Sequence, residues 1–154
     1  MAFTLERLHD EDAITRLIFA YCTGIDSGNF DDTARLFTQG TWFLNPETPC
    51  SGFEAVSTFL HENVILYGDV PATRHTVSNI RIDISDDRSR AQVRSYVIVF
   101  QSVPGAAPHI MFQGAYDDTF ARTNGQWHFH ERRIETDGTA DMSLHLKSVQ
   151  AVGS

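Results

Sequence analysis

The chain has 154 residues, 42% of them hydrophobic and 21% charged, the size and balance of one soluble globular domain that can bury a core. A formal charge of −8 with no Lys/Arg cluster argues against nucleic acid or an anionic membrane surface as the main partner. No apolar run approaches the roughly 20 residues of a membrane span, "MAFTLERLHD" lacks the pattern of a secretory signal, and Cys22 and Cys50 show no CxxC or disulfide-scaffold spacing. The expected setting is the cytoplasm, with free thiols.

From Leu5 to about Gly24 the apolar residues Ile14, Leu17, Ile18, Tyr21 and Ile25 recur at helical spacing, and Asp10, Glu11 and Asp12 near the start suit the helix dipole. Gly24 and "DSGNF" mark its end. "NFDDTARLF" reads as a second, short helix with Asp31 or Asp32 capping and Ala34, Leu36 and Phe37 packing, so the two helices meet near Asp26. "GTWFLN" is a short strand ended by the Pro46 and Pro49 segment, and "GFEAVSTFLHENVILY" carries Phe53, Val56, Phe59, Leu60 and Val64 at the spacing of a third helix. Four strand-like runs follow, 72–84, 89–103, 108–122 and 126–136, separated by "SDDR", "PGAAP" and "TNGQ", and they predict an antiparallel sheet.

Helices first and strands afterwards predict a single α+β domain, core about 5–136, with the helices on one face of a curved sheet. Eleven Phe and six Tyr and Trp rings permit an aromatic-lined cavity. The segment 137–154 is a polar tail in which "MSLHLKSV" is expected to make one helical turn or a flap.

Asp26 falls about 40° past the edge of the apolar stripe of the first helix, so it can look inward. Tyr21, on the stripe itself, should bury its ring and find a partner for its hydroxyl. His75 is the natural complement, since a neutral imidazole with a pKa near 6.5 suits proton abstraction and an Asp on its other nitrogen fixes the tautomer. The competing reading is structural: one His at a strand start and one Asp at a helix end are ordinary features. His75 is also out of phase with Ile80, Ile82 and Ile84, so either that face holds the cavity or a bulge shifts the register.

The segments "ITRLIFAYCTGIDSGNFDDTARLFTQGTW", "TRHTVSNI" and "YDDTFARTNGQWHFHERRIE" resemble the SnoaL-like branch of the nuclear transport factor 2-like superfamily. They are especially similar to the group that includes scytalone dehydratase, bile-acid 7α-dehydratase and hexachlorocyclohexane dehydrochlorinase. The resemblance spans about residues 8 to 136. It implies a cone-shaped α+β barrel in which three helices close a bent antiparallel sheet over a deep apolar pocket, usually in dimers or trimers. It also implies a catalytic His–Asp dyad at His75 and Asp26, a catalytic Tyr21, and Arg132 assisting the leaving group with Arg133 in reserve.

Tyr67, Asn79, Tyr96, His109 and Tyr116 are further candidates for contacts to substrate. Tyr96 shares a face with Ile98 and Phe100 and so reads first as core packing with an outward hydroxyl. Asn79 follows His75 by four on what should be the same strand face. His128, His130 and Glu131 are the best metal candidates, but no third ligand stands at a recognisable spacing, and no metal is expected. There is no G-x-S-x-G motif, Cys22 sits where a thiolate is disfavoured, and no glycine loop is set to hold phosphate. The reading is a cofactor-independent lyase or isomerase, dehydratase- or cyclase-like, acting on a hydrophobic cyclic small molecule. The alternative is a non-catalytic ligand-binding module or an assembly subunit resembling the β subunit of ring-hydroxylating dioxygenases.

Overall fold

The computed structural model describes residues 3–148. Helix α1 (Leu5–Asp26) is capped by Thr4, whose side chain accepts a hydrogen bond from the Arg7 amide. Its stripe of Ile14, Ile18, Tyr21 and Ile25 is buried, and each such side chain contributes about 1.5–3 kcal/mol by leaving water. Asp10 does not serve the helix dipole as its position suggested. It is 4% exposed and accepts from Arg88 at 2.6 and 3.2 Å and from the Trp127 indole at 2.9 Å. The helix also continues past Gly24, where a Cβ would stand 2.2 Å from Thr33 Oγ1. That glycine admits the second helix, α2 (Phe30–Arg35), against α1. The true stop is Gly28, with φ of +74° in the turn after Asp26.

Strands β1 (Thr41–Phe43) and β2 (Pro49–Ser51) form a small hairpin, and helix α3 (Gly52–Asn63) follows directly. Helix α3 ends four residues earlier than its apolar spacing predicts, because Val64 and the Ile65 amide pair with residues from the C-terminal segment. Strands β3 (Thr73–Ile84), β4 (Arg90–Gln101), β5 (His109–Thr123) and β6 (Gln126–Thr139) form an antiparallel meander.

The sheet has six strands in the order β2-β1-β6-β5-β4-β3 and is not closed. It is mixed, since β1 lies parallel to β6 with Trp42 opposite Arg132. The antiparallel expectation holds for the meander and fails at that junction, where the short strand returns along the meander's last strand. Strand β6 runs three residues beyond its predicted end because a register shift at Gln113/Gly114 lets pairing continue to Thr139. The three helices cover the inner face of this curved sheet, giving the α+β cone, and one apolar core lies between them. On the outer face Tyr96, Phe100 and Ile110 stay 54, 37 and 50% exposed. No helix among the described residues is long and apolar enough to cross a membrane.

The phase of His75 is settled by a bulge. The register of β3 against β4 shifts between Ser78 and Arg81, and Asn79 takes φ of +53° there. Before the shift His75 and Val77 face inward; after it Ile80, Ile82 and Ile84 do. Asn is among the few residues that adopt a left-handed φ at low cost, so the side chain expected to share the face of His75 is instead exposed at the bulge.

Candidate active site

The last residue of α1 and the first turn of β3 meet at one point. His75 Nδ1 lies 2.6 Å from Asp26 Oδ1, the His75 amide donates to Asp26 Oδ2 at 2.8 Å, and Thr73 Oγ1 donates to Asp26 Oδ1 at 2.8 Å. The two side chains are 8% and 15% exposed. Burial alone would raise the Asp26 carboxyl, but the hydrogen bonds from His75 and Thr73 and the nearby imidazole outweigh it and hold the group below its ordinary range. An ionised Asp26 accepts the Nδ1 proton, which leaves Nε2 of a neutral His75 as the basic nitrogen.

His75 stands on the wall of a partly open cavity of about 80 Å³. Tyr21, Trp42, Tyr116, Met142 and His145 share that wall with a ring of aliphatic side chains. Tyr21 accepts a hydrogen bond from the Trp42 indole at 3.2 Å and meets the His75 ring edge-on at 6.2 Å between centroids. Burial pushes its phenol up to about 12, with Arg132 pulling the other way. Tyr116 is raised well above the ordinary tyrosine range by burial, with Tyr21 adding to the shift.

Behind the two phenols lies a fully buried ion pair. Arg132 donates to both oxygens of Asp118, at 2.9 and 2.7 Å, and neither side chain has any exposure. Burial pushes the Asp118 carboxyl up against the pull of Arg132; the two-pronged pairing to a guanidinium is what maintains the charged form. The guanidinium sits 3.7 Å above the Tyr116 ring and 4.2 Å above Tyr21, a cation–π arrangement that places positive charge under both phenols.

Residues 6–133 match the SnoaL-like domain family. The chain belongs to the SnoaL-like family. An uncharacterised protein of Mycobacterium tuberculosis is 26% identical over 139 residues, covering 86% of this chain and 88% of that one. Among solved structures, a Novosphingobium aromaticivorans protein named provisionally as a scytalone dehydratase is 28% identical with a TM-score of 0.71, over 88% of this chain and 89% of the other. A second protein from that organism, described as NTF2-like with a cystatin-like fold, is 21% identical with a TM-score of 0.70, over 91% of each chain, and shows the shared fold.

Within this SnoaL-like frame the predicted site residues divide sharply. His75, Tyr21 and Tyr116 line the cavity, and Asp26 holds His75 from the side of a separate surface cleft. Arg132 is fully buried, does not line the cavity, and has its guanidinium over the Tyr21 and Tyr116 rings. Arg133 points away, exposed, pairing with Glu131 and stacking on Phe43. Tyr67 lies outside the wall and donates its hydroxyl to the Leu144 carbonyl at 2.5 Å. Tyr96 projects from the outer face of β4, His109 sits at the start of β5 away from the cavity, and Asn79 occupies the bulge. Cys22 is buried with its thiol pushed up to about 11 by burial, ill-suited to act as a nucleophile. Among the described residues no group of three or more His, Cys, Asp or Glu is gathered to hold a metal ion.

Three wall residues absent from the predicted site, Met142, His145 and Leu146, lie in "MSLHLKSV", the stretch expected to make one helical turn or a flap. They belong to the C-terminal segment, which makes a 3-10 turn at Met142–Leu144. The Ile65 amide donates to the His145 carbonyl at 2.8 Å, and Gln101 Nε2 joins Tyr67 in donating to Leu144 O, at 3.1 Å. The available signal was two leucines flanking a histidine in a polar tail, too short a pattern to distinguish a docked strap from a loose end.

Proposed function

We propose that this chain is a cofactor-independent lyase or isomerase, dehydratase- or cyclase-like, that uses His75 as general base on a hydrophobic cyclic small molecule. The observation that carries this reading is the 2.6 Å His75–Asp26 contact on the wall of an apolar cavity. His75 Nε2 takes a proton from carbon beside a carbonyl or leaving group, and Asp26 stabilises the imidazolium that results. Tyr21 already accepts from Trp42, so its own O–H is left to donate to oxygen that becomes negative. Arg132 acts through the tyrosines: its charge favours their donation without touching the substrate.

At about 80 Å³ the cavity is smaller than the about 150 Å³ that admits benzene in an engineered case. Binding of a ring of that size therefore requires the cavity lining to widen. The alternative, an assembly subunit without chemistry, draws support from exposed Tyr96, Phe100 and Ile110, a face suited to a second copy of the chain in a dimer or trimer.

One experiment separates the readings. Cyclic ketones are screened by thermal shift, and deuterium exchange beside the carbonyl of 2-tetralone is followed by NMR, in the unsubstituted protein, His75→Ala and Asp26→Asn. Exchange above the buffer rate that falls by about a hundredfold or more in both variants is the expected result. Ligand stabilisation that survives both changes, with no exchange in any form, moves the assignment to a binding module.

A further inference from the structure

A second imidazole faces the cavity and takes no part in the Asp26 pair. His145 is 9% exposed, lines the same cavity as His75, Tyr21 and Tyr116, and its Nδ1 has no hydrogen-bond partner among the described residues. A buried polar nitrogen left unpaired costs about 1–3 kcal/mol. The main chain that carries the ring is anchored: His145 O accepts from Ile65, and Leu144 O accepts from Tyr67 and Gln101. Met142, Leu146 and His75 share its stretch of wall, and none of them is hydrogen-bonded to its Nδ1. A group held in that state is complementary to something with an oxygen atom.

Burial, assisted by the nearby His75, lowers His145 to about 4, so at neutral pH it carries one N–H and no charge. Neutral imidazole donates a hydrogen bond without surrendering its proton, the property required to stabilise an enolate oxygen while the base alone moves protons.

We propose that His145 is a catalytic residue that donates a hydrogen bond to the oxygen of a cyclic enol or enolate held in the cavity. The proposal rests on the lyase or isomerase reading and adds to it a substrate class, hydrophobic rings bearing a carbonyl. His75 Nε2 removes the proton from the carbon beside the carbonyl. The C–H electron pair becomes the new C=C bond while the C=O π pair moves onto oxygen. That oxygen accepts the N–H of His145 and the O–H of Tyr21, and His75 later returns its proton to carbon or passes it to a departing hydroxyl. Nothing is oxidised or reduced, and His145 ends as it began.

The test compares 2-naphthol, an enol mimic, with 2-methylnaphthalene, which replaces the hydroxyl by a methyl group of similar size. Calorimetric titration of the unsubstituted protein should favour 2-naphthol by about tenfold or more. His145→Phe, with Tyr21 intact, should cut that preference by about fivefold or more while still binding 2-methylnaphthalene, and His145→Gln should keep more of it. In the unsubstituted protein, 2-naphthol should also shift the imidazole 15N resonances of His145, a readout that needs no folded variant. An equal preference in His145→Phe, no preference or no binding in the unsubstituted protein, or unmoved His145 resonances overturns the proposal. Failure of the underlying reading is seen separately: 2-tetralone exchange that is absent, or indifferent to His75→Ala, removes the catalysis even where the oxygen preference depends on His145.

Discussion

At the scale of single residues, two imidazoles in one cavity are held in different states by what surrounds them. His75 has a carboxylate on Nδ1, whereas Nδ1 of His145 has no hydrogen-bond partner among the described residues. This makes a pH prediction with a definite sign. His145 titrates near 6.5 when unfolded and near 4 when folded, so the unfolded chain binds more protons across that window. Its stability contribution is complete above pH 6.5 and declines as pH falls, by up to about 1.4 kcal/mol per unit, until about pH 4. Asp26 acts lower: its depressed carboxyl contributes stability above the ordinary carboxylate range, lost as pH falls through the depressed value. Urea denaturation at pH 7.5 and 5 should show a smaller loss in His145→Gln than in the unsubstituted protein. Equal losses would mean that the ring is not buried neutral.

The element that decides the site is β3, through its bulge. The alternation of "RHTVSNIRIDI" could be read from the chain, and so could the conflict between His75 and the isoleucines. Which way the conflict resolves depends on one residue adopting a left-handed conformation, and pairing with β4 selects it. Asn79→Gly should leave stability within about 1 kcal/mol of the original, because glycine takes a positive φ freely. Asn79→Val should cost about 1–2 kcal/mol or more, measured by the urea midpoint, because a β-branched side chain resists that conformation. If valine costs nothing, the bulge is not where the strand changes phase. The limits of α1, α2 and the four long strands came within a few residues of their predicted positions because periodicity and turn residues are local signals. The strand β2 and the parallel β1–β6 contact did not, since three-residue strands carry almost no period of their own.

For the whole molecule, the buried Arg132–Asp118 pair ties the floor of the cavity to the sheet. Its partners sit directly opposite on β6 and β5, so the register of two strands sets a charge under two tyrosines. Arg132→Met leaves a buried carboxylate without its counter-charge and should cost about 3–5 kcal/mol in chemical denaturation. Adding Asp118→Leu should recover much of that loss while the phenols lose their neighbouring cation. If stability is recovered but 2-tetralone exchange is not, the pair serves the chemistry; if both recover, it serves only the fold.

What the sequence determined by itself was the α+β order, the bulk of the core, the SnoaL-like resemblance, and the candidacy of His75, Asp26, Tyr21 and Tyr116. These follow from periodicity, composition and local motifs, which act over a few residues. The tertiary structure alone decided that Arg132 lies behind the tyrosines, that Asn79, Tyr96 and His109 face elsewhere, and that Tyr67 secures a strap carrying His145 into the cavity. Those outcomes depend on which way a side chain turns when distant segments meet, and a strand's facing reverses with a single inserted residue.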